Sequence, residues 1–255
     1  MSRIDLFKQA LAEKRAVKII SGIDNYDMNS VKNVVIAAEQ SGASAVDICA
    51  DAQIVTTVRR MTDIPLFVSS INPEELVSAL SMGADAIELG NFDALYNKGL
   101  SMDANQVMNL VNKILSLIKN NGNVFFCVTI PGSIEISEQI SMARELEAMG
   151  IDLIQTEGHY MNTAALAGAR GLIERAELTL ANTIELSRNV NIPIMTSTGI
   201  NPTTAPLAFA SGASAIGCGS CINKLDTEIS MIAVAKTLVE IAAKNTVHSM
   251  KPELV

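Results

Sequence analysis

GASAVDICAD (42–51) has three counterparts along the chain: GADAIELGN (83–91), GIDLIQTEG (150–158) and GASAIGCGS (212–220). Each opens on a glycine, runs through a short apolar strand and ends on polar residues or glycine. Each also follows an amphipathic helical run: NSVKNVVIAAEQS (29–41), PEELVSALSM (73–82), EISEQISMARELEAM (135–149) and PTTAPLAFAS (202–211). A glycine that takes up the left-handed conformation ends a helix, and a buried strand follows it. The unit is therefore a helix-to-strand joint, repeated four times.

A second pattern occurs twice. TDIPLFVSSINP (62–73) matches NVNIPIMTSTGINP (189–202), with one extra residue, Gly199, in the second copy. Pro65 and Pro193 sit where strands start, because a missing N–H is tolerated there. Strands 2, 3 and 4 and strands 6, 7 and 8 thus read as two copies of one run. AVKIISG (16–22) and NVFFCVTI (123–130) fill the first and fifth places. Alternating β and α units with short apolar strands build a parallel sheet. Eight such units in 255 residues predict an α/β chain folded as one (β/α)8 TIM barrel, a single domain over 1–255 with a short helix at about residues 4–13. The alternative is an open doubly wound sheet. It would not need such even spacing, and no GxGxxG follows the first strand.

Composition agrees. About half of the residues (49%) are apolar, which is enough for a sizeable core and excludes intrinsic disorder. Aromatic residues make up 4% and Trp is absent, so Ala, Ile, Leu, Val and Met must fill that core, which disfavours a sandwich or propeller. The 27 acidic and 19 basic side chains give a net charge of −8. With no basic run of five or more, neither nucleic acid nor an anionic membrane surface is an expected partner. There is no secretory signal and no apolar stretch of membrane-spanning length. Cys49, Cys127 and Cys218 fall in or beside strand runs, which suits a reduced compartment. The expectation is a soluble intracellular protein.

Strand alternation assigns the faces. Four residues after each glycine stand Val46, Ile87, Ile154 and Ile216, which are apolar and face the helices. One residue later stand Asp47, Glu88, Gln155 and Gly217, and two further on Cys49, Gly90, Glu157 and Gly219, all directed inward. Carboxylates in a barrel interior are costly unless paired or solvated. They read either as an internal salt-bridge layer or as a site open at the C-terminal face. Lys18, the cation of the first strand, either snorkels to the barrel's end or faces inward, where it would meet Asp47 and Glu88 as proton shuttle, Schiff-base amine, electrostatic clamp or plain ion pair.

Strand 7 ends in Thr198 and Gly199, and strand 8 in Gly217, Cys218, Gly219 and Ser220. The loops after these two strands are where barrels most often hold phosphate on backbone N–H groups. Glycine lets amides approach an anion without a Cβ in the way. Thr198, Gly199, Gly217, Gly219 and Ser220 are therefore candidate phosphate ligands, with Lys224 nearby; ordinary turn glycines are the alternative. Cys218 and Cys221 form a CxxC, but no second CxxC completes a zinc site and Cys218 has the helix-facing register, so no metal is expected. Two long loops leave the C-terminal side, at 91–103 and 158–172. In the second, His159 reads as an acid, a base or a loop cap. Lys18, Asp47, Glu88, Glu157 and His159 are the candidate catalytic residues.

Taken together, VKIISGIDNYD, DICAD, IPLFVSSINP, GADAIELGN, TEG, TSTGINP and GASAIGCGS resemble an uncharacterised barrel family, known as a hypothetical reading frame of red-algal plastid genomes with cyanobacterial counterparts. The resemblance spans roughly residues 4–245. It implies an aldolase-type barrel in a cyanobacterial cytoplasm or plastid stroma, and it supplies no reaction. Three functions stay open: a lyase or isomerase of a small phosphorylated metabolite, an FMN-binding oxidoreductase, and a non-catalytic binding or regulatory barrel. No cofactor is firmly implied, and a homo-oligomer is compatible with the sequence.

Overall fold

A computed structural model describes residues 1–90, 92–96, 99, 101–158 and 168–249. Helix α1 (Arg3–Ala12) leads into β1 (Ala16–Ile20), α2 (Met28–Ser41), β2 (Ala45–Cys49), α3 (Ala52–Met61), β3 (Leu66–Ser70), α4 (Pro73–Ser81) and β4 (Ala86–Leu89). Then come α5 (Asp93–Tyr96), α6 (Ala104–Ile118), β5 (Phe125–Ile130), α7 (Ile136–Ala148), β6 (Leu153–Thr156) and α8 (Gly168–Asn189). The chain ends with β7 (Ile194–Thr196), α9 (Ala205–Ala210), β8 (Ala215–Cys218), α10 (Ser220–Asn223) and α11 (Glu228–Ser249). All eight strands are parallel and close into a barrel in sequence order, β8 pairing with β1. Among the described residues no helix is long and apolar enough to cross a membrane.

The four glycines do what the repeat requires. Gly42, Gly83, Gly150 and Gly212 take φ of 75°, 106°, 79° and 103°, the left-handed region that stops a helix and turns the chain into the next strand. Two residues on, a polar side chain caps the strand before it. Ser44 Oγ accepts from Val17 N at 3.1 Å, Asp85 Oδ2 from Leu66 N at 2.9 Å and Asp152 Oδ2 from Phe126 N at 2.9 Å. The duplicated INP segments also share local structure. Asn72 Oδ1 accepts from Glu74 N at 3.0 Å, and Asn201 Oδ1 from Thr203 N at 2.8 Å.

Three details differ from the sequence reading. β1 ends at Ile20 and β5 starts at Phe125, both shorter than their apolar runs. The loop after β4 holds the single turn α5, and Asp103, capping reciprocally with Gln106, starts α6 at Ala104. The loop after β6 ends sooner than 172, because α8 already begins at Gly168.

The outward face of the barrel packs on the helices through Val46, Ile87, Ile154 and Ile216, as the alternation requires. Inside, the N-terminal end is apolar: Ala16, Ala45, Phe67, Ala86, Phe125, Leu153, Met195 and Ala215. Helix α1 plugs this end with Phe7, whose ring meets Phe67 and Phe125 edge-on at 4.8 and 5.7 Å. Solvent is thus excluded from below, and whatever the interior does it must do through the C-terminal mouth.

Candidate functional site

Above the apolar floor the interior turns polar. Lys18, on β1, donates from Nζ to Oε2 of Glu88 on β4, and both side chains are fully excluded from solvent. Gln155 Nε2 donates to Glu88 Oε1 at 2.9 Å and to Thr129 Oγ1 at 3.1 Å. Ser69 Oγ donates to Asp47 Oδ1 at 2.5 Å. The structure therefore brings Lys18, Asp47 and Glu88 together as the alternation anticipated, and adds Ser69 and Thr129, which the sequence reading did not single out. Burial opposes the Lys18 charge, but Glu88 and then Asp47 outweigh it, so its pKa is raised. A Schiff-base lysine needs the opposite shift. As placed, Lys18 is ion-paired with Glu88, its Nζ also lying 5.2 Å from the centre of the Phe67 ring.

One step toward the mouth stands Glu157, at the end of β6. Its side chain is nearly buried, and Tyr96 of α5 donates its phenol hydroxyl to Oε2 at 2.9 Å. The Glu157 backbone is gripped as well. Asn182 Nδ2 donates to its carbonyl at 3.4 Å, and a Cβ on Gly132 would stand 2.3 Å from that oxygen. Tyr96 escaped sequence reasoning because it lies 61 residues from Glu157, in a loop whose path no pattern encodes. His159 lies outside the described residues. Cys49 donates its thiol to Asn25 O at 3.2 Å, and burial pushes its pKa to about 11, so it stays a thiol.

The loops after β7 and β8 form the rim. Thr198, Gly199 and Gly219 are half-buried and Ser220 is exposed, whereas Gly217 is buried among the strands. The glycines do different work. A Cβ on Gly199 (φ 73°) would meet Arg175 O at 2.5 Å, so glycine is needed there for α8 to pack on the loop. A Cβ on Gly217 would press on Ser197 Oγ at 3.0 Å, Ile20 Cδ1 at 3.1 Å and Gln155 Oε1 at 3.2 Å. Gly219 alone of the three has room, its nearest neighbours standing 3.7 Å or more away. The amides of the Asn201 turn are used internally: Thr204 and Ala205 donate to Asn201 O, and Asn201 N donates to Thr204 Oγ1. At β8, Ile222 N and Asn223 N close the turn of α10 by donating to Gly219 O. Asn223 Nδ2 fixes this rim to β1 by donating to Ile20 O at 3.2 Å and Ser21 O at 2.9 Å. Among the described residues no group of His, Cys, Asp or Glu is arranged to hold a metal ion.

A closed barrel of eight parallel strands alternating with helices, with a plugged floor and a glycine-bearing C-terminal rim, defines a (β/α)8 TIM-barrel protein. More narrowly, the chain belongs to the family described as "Protein of unknown function (DUF561)", which matches residues 2–248. Relatives include uncharacterized protein ycf23 of Pyropia yezoensis, 33% identical over 249 residues, covering 95% of this chain and 90% of the relative. That of Cyanophora paradoxa is 36% identical over 232 residues, covering 91% and 93%. Among solved structures, tryptophan synthase subunit alpha from Legionella pneumophila superposes with a TM-score of 0.65 at 13% identity, covering 96% of this chain and 99% of the other. For 3-hexulose-6-phosphate synthase from Salmonella typhimurium the values are 0.64, 11%, 90% and 99%. For thiamine phosphate pyrophosphorylase from Pyrococcus furiosus they are 0.60, 18%, 92% and 98%. At such identities the likeness is one of fold.

Proposed function

We propose that this protein binds a small phosphorylated metabolite at the C-terminal mouth and catalyses proton transfer or carbon–carbon chemistry on it, as a lyase or isomerase. The observation that carries the reading is Gly219: an unobstructed glycine on the rim, at the start of α10. Thr198, Gly199, Gly217 and Ser220 complete the phosphate segment, with Gly199 and Gly217 shaping the backbone rather than clearing its path. Glu157, held by Tyr96, acts as one acid–base group at the mouth, and His159 is its proposed counterpart. Lys18, Asp47 and Glu88 form a charged floor beneath the reacting carbons. Two of the fold neighbours are named for a phosphorylated compound, which supports a phosphate ligand without naming it. The setting would be a plastid stroma or a cyanobacterial cytoplasm, in line with the ycf23 relatives.

A second reading has its own observation. Lys18, Asp47 and Glu88 have no exposed surface and the layer is closed by hydrogen bonds, as a non-catalytic binding or regulatory barrel would have it. Both readings need the rim. The test is titration with inorganic phosphate, followed by NMR amide shifts, of the wild type and Gly219→Val. The proposal expects shifts at Gly219 and Ser220 in the wild type and none in the variant, with both equally folded. Shifts of equal size in both proteins, or none in either, would overturn it. Mass spectrometry of a co-purifying small molecule then separates enzyme substrate from regulatory ligand, and flavin absorbance would reveal FMN.

A further inference from the structure

Two thiols flank the open glycine. Cys218 is the last residue of β8 and Cys221 the second of α10, with Gly219 and Ser220 between them. Both are free, and both pack in one cluster between the barrel and the helices. Cys218 is buried in the layer between barrel and helices, while Cys221 is partly exposed. Ile222 N and Asn223 N both donate to Gly219 O, at 2.9 and 3.0 Å, so a tight turn joins the two cysteines. Cys49 and Cys127 are buried on other strands.

We propose that Cys218 and Cys221 are a reversible disulfide site, closed by exchange with a low-molecular-weight disulfide and reopened by a dithiol. A CxxC turn brings its two sulfurs within reach of a bond of about 2.05 Å. The accessible thiol reacts first. Cys221 sulfur attacks one sulfur of the small disulfide, forming a mixed disulfide and releasing one thiol, which takes the Cys221 proton. Cys218 sulfur then attacks the Cys221 sulfur, and the second small thiol leaves with the Cys218 proton. The protein gives up two electrons and two protons, and the small disulfide is reduced to two thiols. Interaction with Cys221, together with burial, pushes the Cys218 thiol well above the ordinary cysteine range. Ring closure is therefore the slow step, and the mixed disulfide at Cys221 appears before the internal bond.

This inference is independent of what the rim binds. The experiment incubates the folded full chain with oxidised glutathione, quenches with an alkylating agent and maps the peptides by mass spectrometry. The expected product is a 218–221 disulfide lacking two hydrogen atoms, preceded by glutathione on Cys221 and reversed by dithiothreitol, with Cys49 and Cys127 unmodified in the folded protein. In Cys221→Ser no internal disulfide forms. In Cys218→Ser the reaction stops at glutathionylated Cys221. Because Cys218 is buried and its variant can misfold, Cys221→Ser carries the decision on its own. Two free thiols at 218 and 221 after equilibration, a mixed disulfide that never closes, or an internal disulfide surviving in Cys221→Ser would each overturn the proposal.

Discussion

Lys18 and Glu88 meet inside the barrel across 70 residues of sequence, the ammonium donating to the carboxylate with neither group reaching solvent. Removing one partner from such a pair leaves the other charge buried and uncompensated, which costs about 3–5 kcal/mol. Lys18→Met keeps most of the volume and loses the charge, so its unfolding free energy from urea titration should fall by that amount. Adding Glu88→Gln should recover much of the loss, since no bare charge then remains. A single variant as stable as wild type would mean that the pair holds nothing together. Should Lys18→Met fold and keep full activity on a substrate found for the wild type, the lysine is structural and takes no part in proton transfer.

The same pair makes a pH prediction. The folded-state pKa of Lys18 is raised, against burial, by Glu88 and Asp47. Its contribution is therefore complete below the ordinary lysine value of about 10.4 and is lost only as pH climbs through the higher folded value. The stability gap between wild type and the Lys18→Met, Glu88→Gln double variant should stay flat from about pH 7 to about pH 10 and change only above that. A gap that changes near neutral pH would show that Lys18 titrates there.

Phe7 closes the floor of the barrel from helix α1, wholly buried against Phe67 and Phe125. Phe7→Ala opens a cavity beneath the charged layer and should cost about 3–5 kcal/mol by chemical denaturation. Hydrogen exchange should quicken first at the N-terminal ends of β1, β3 and β5.

Two rim glycines should respond in opposite ways. Gly199→Ala places a Cβ 2.5 Å from Arg175 O at a φ of 73°, and should lower stability by roughly 2–4 kcal/mol. Gly219→Ala meets nothing closer than 3.7 Å and should stay within about 0.5 kcal/mol of wild type. Thermal unfolding of the two variants side by side checks both.

The barrel was legible because its signals are local. A glycine after a helical run and an apolar residue four positions on repeat at four joints, followed in three of them by a polar residue on the opposite face, and a period of two assigns those faces. Lys18, Asp47, Glu88 and Gln155 could be placed in one layer on that ground alone. Ser69 and Thr129 could not be singled out, since a small hydroxyl residue on a strand looks the same whether it pairs with a carboxylate or with nothing.

Sequence alone determined the closed eight-fold architecture, the inward set and the end of the barrel where chemistry belongs, because these follow from period, punctuation and the handedness of the chain. Tertiary structure decided who pairs with whom and which glycine is free. Lys18 takes Glu88 as its salt-bridge partner, Tyr96 reaches Glu157 from another loop, and Gly199 serves the packing of α8 while Gly219 stays open. Such choices depend on distances between residues far apart in sequence, and those exist only once the barrel has closed.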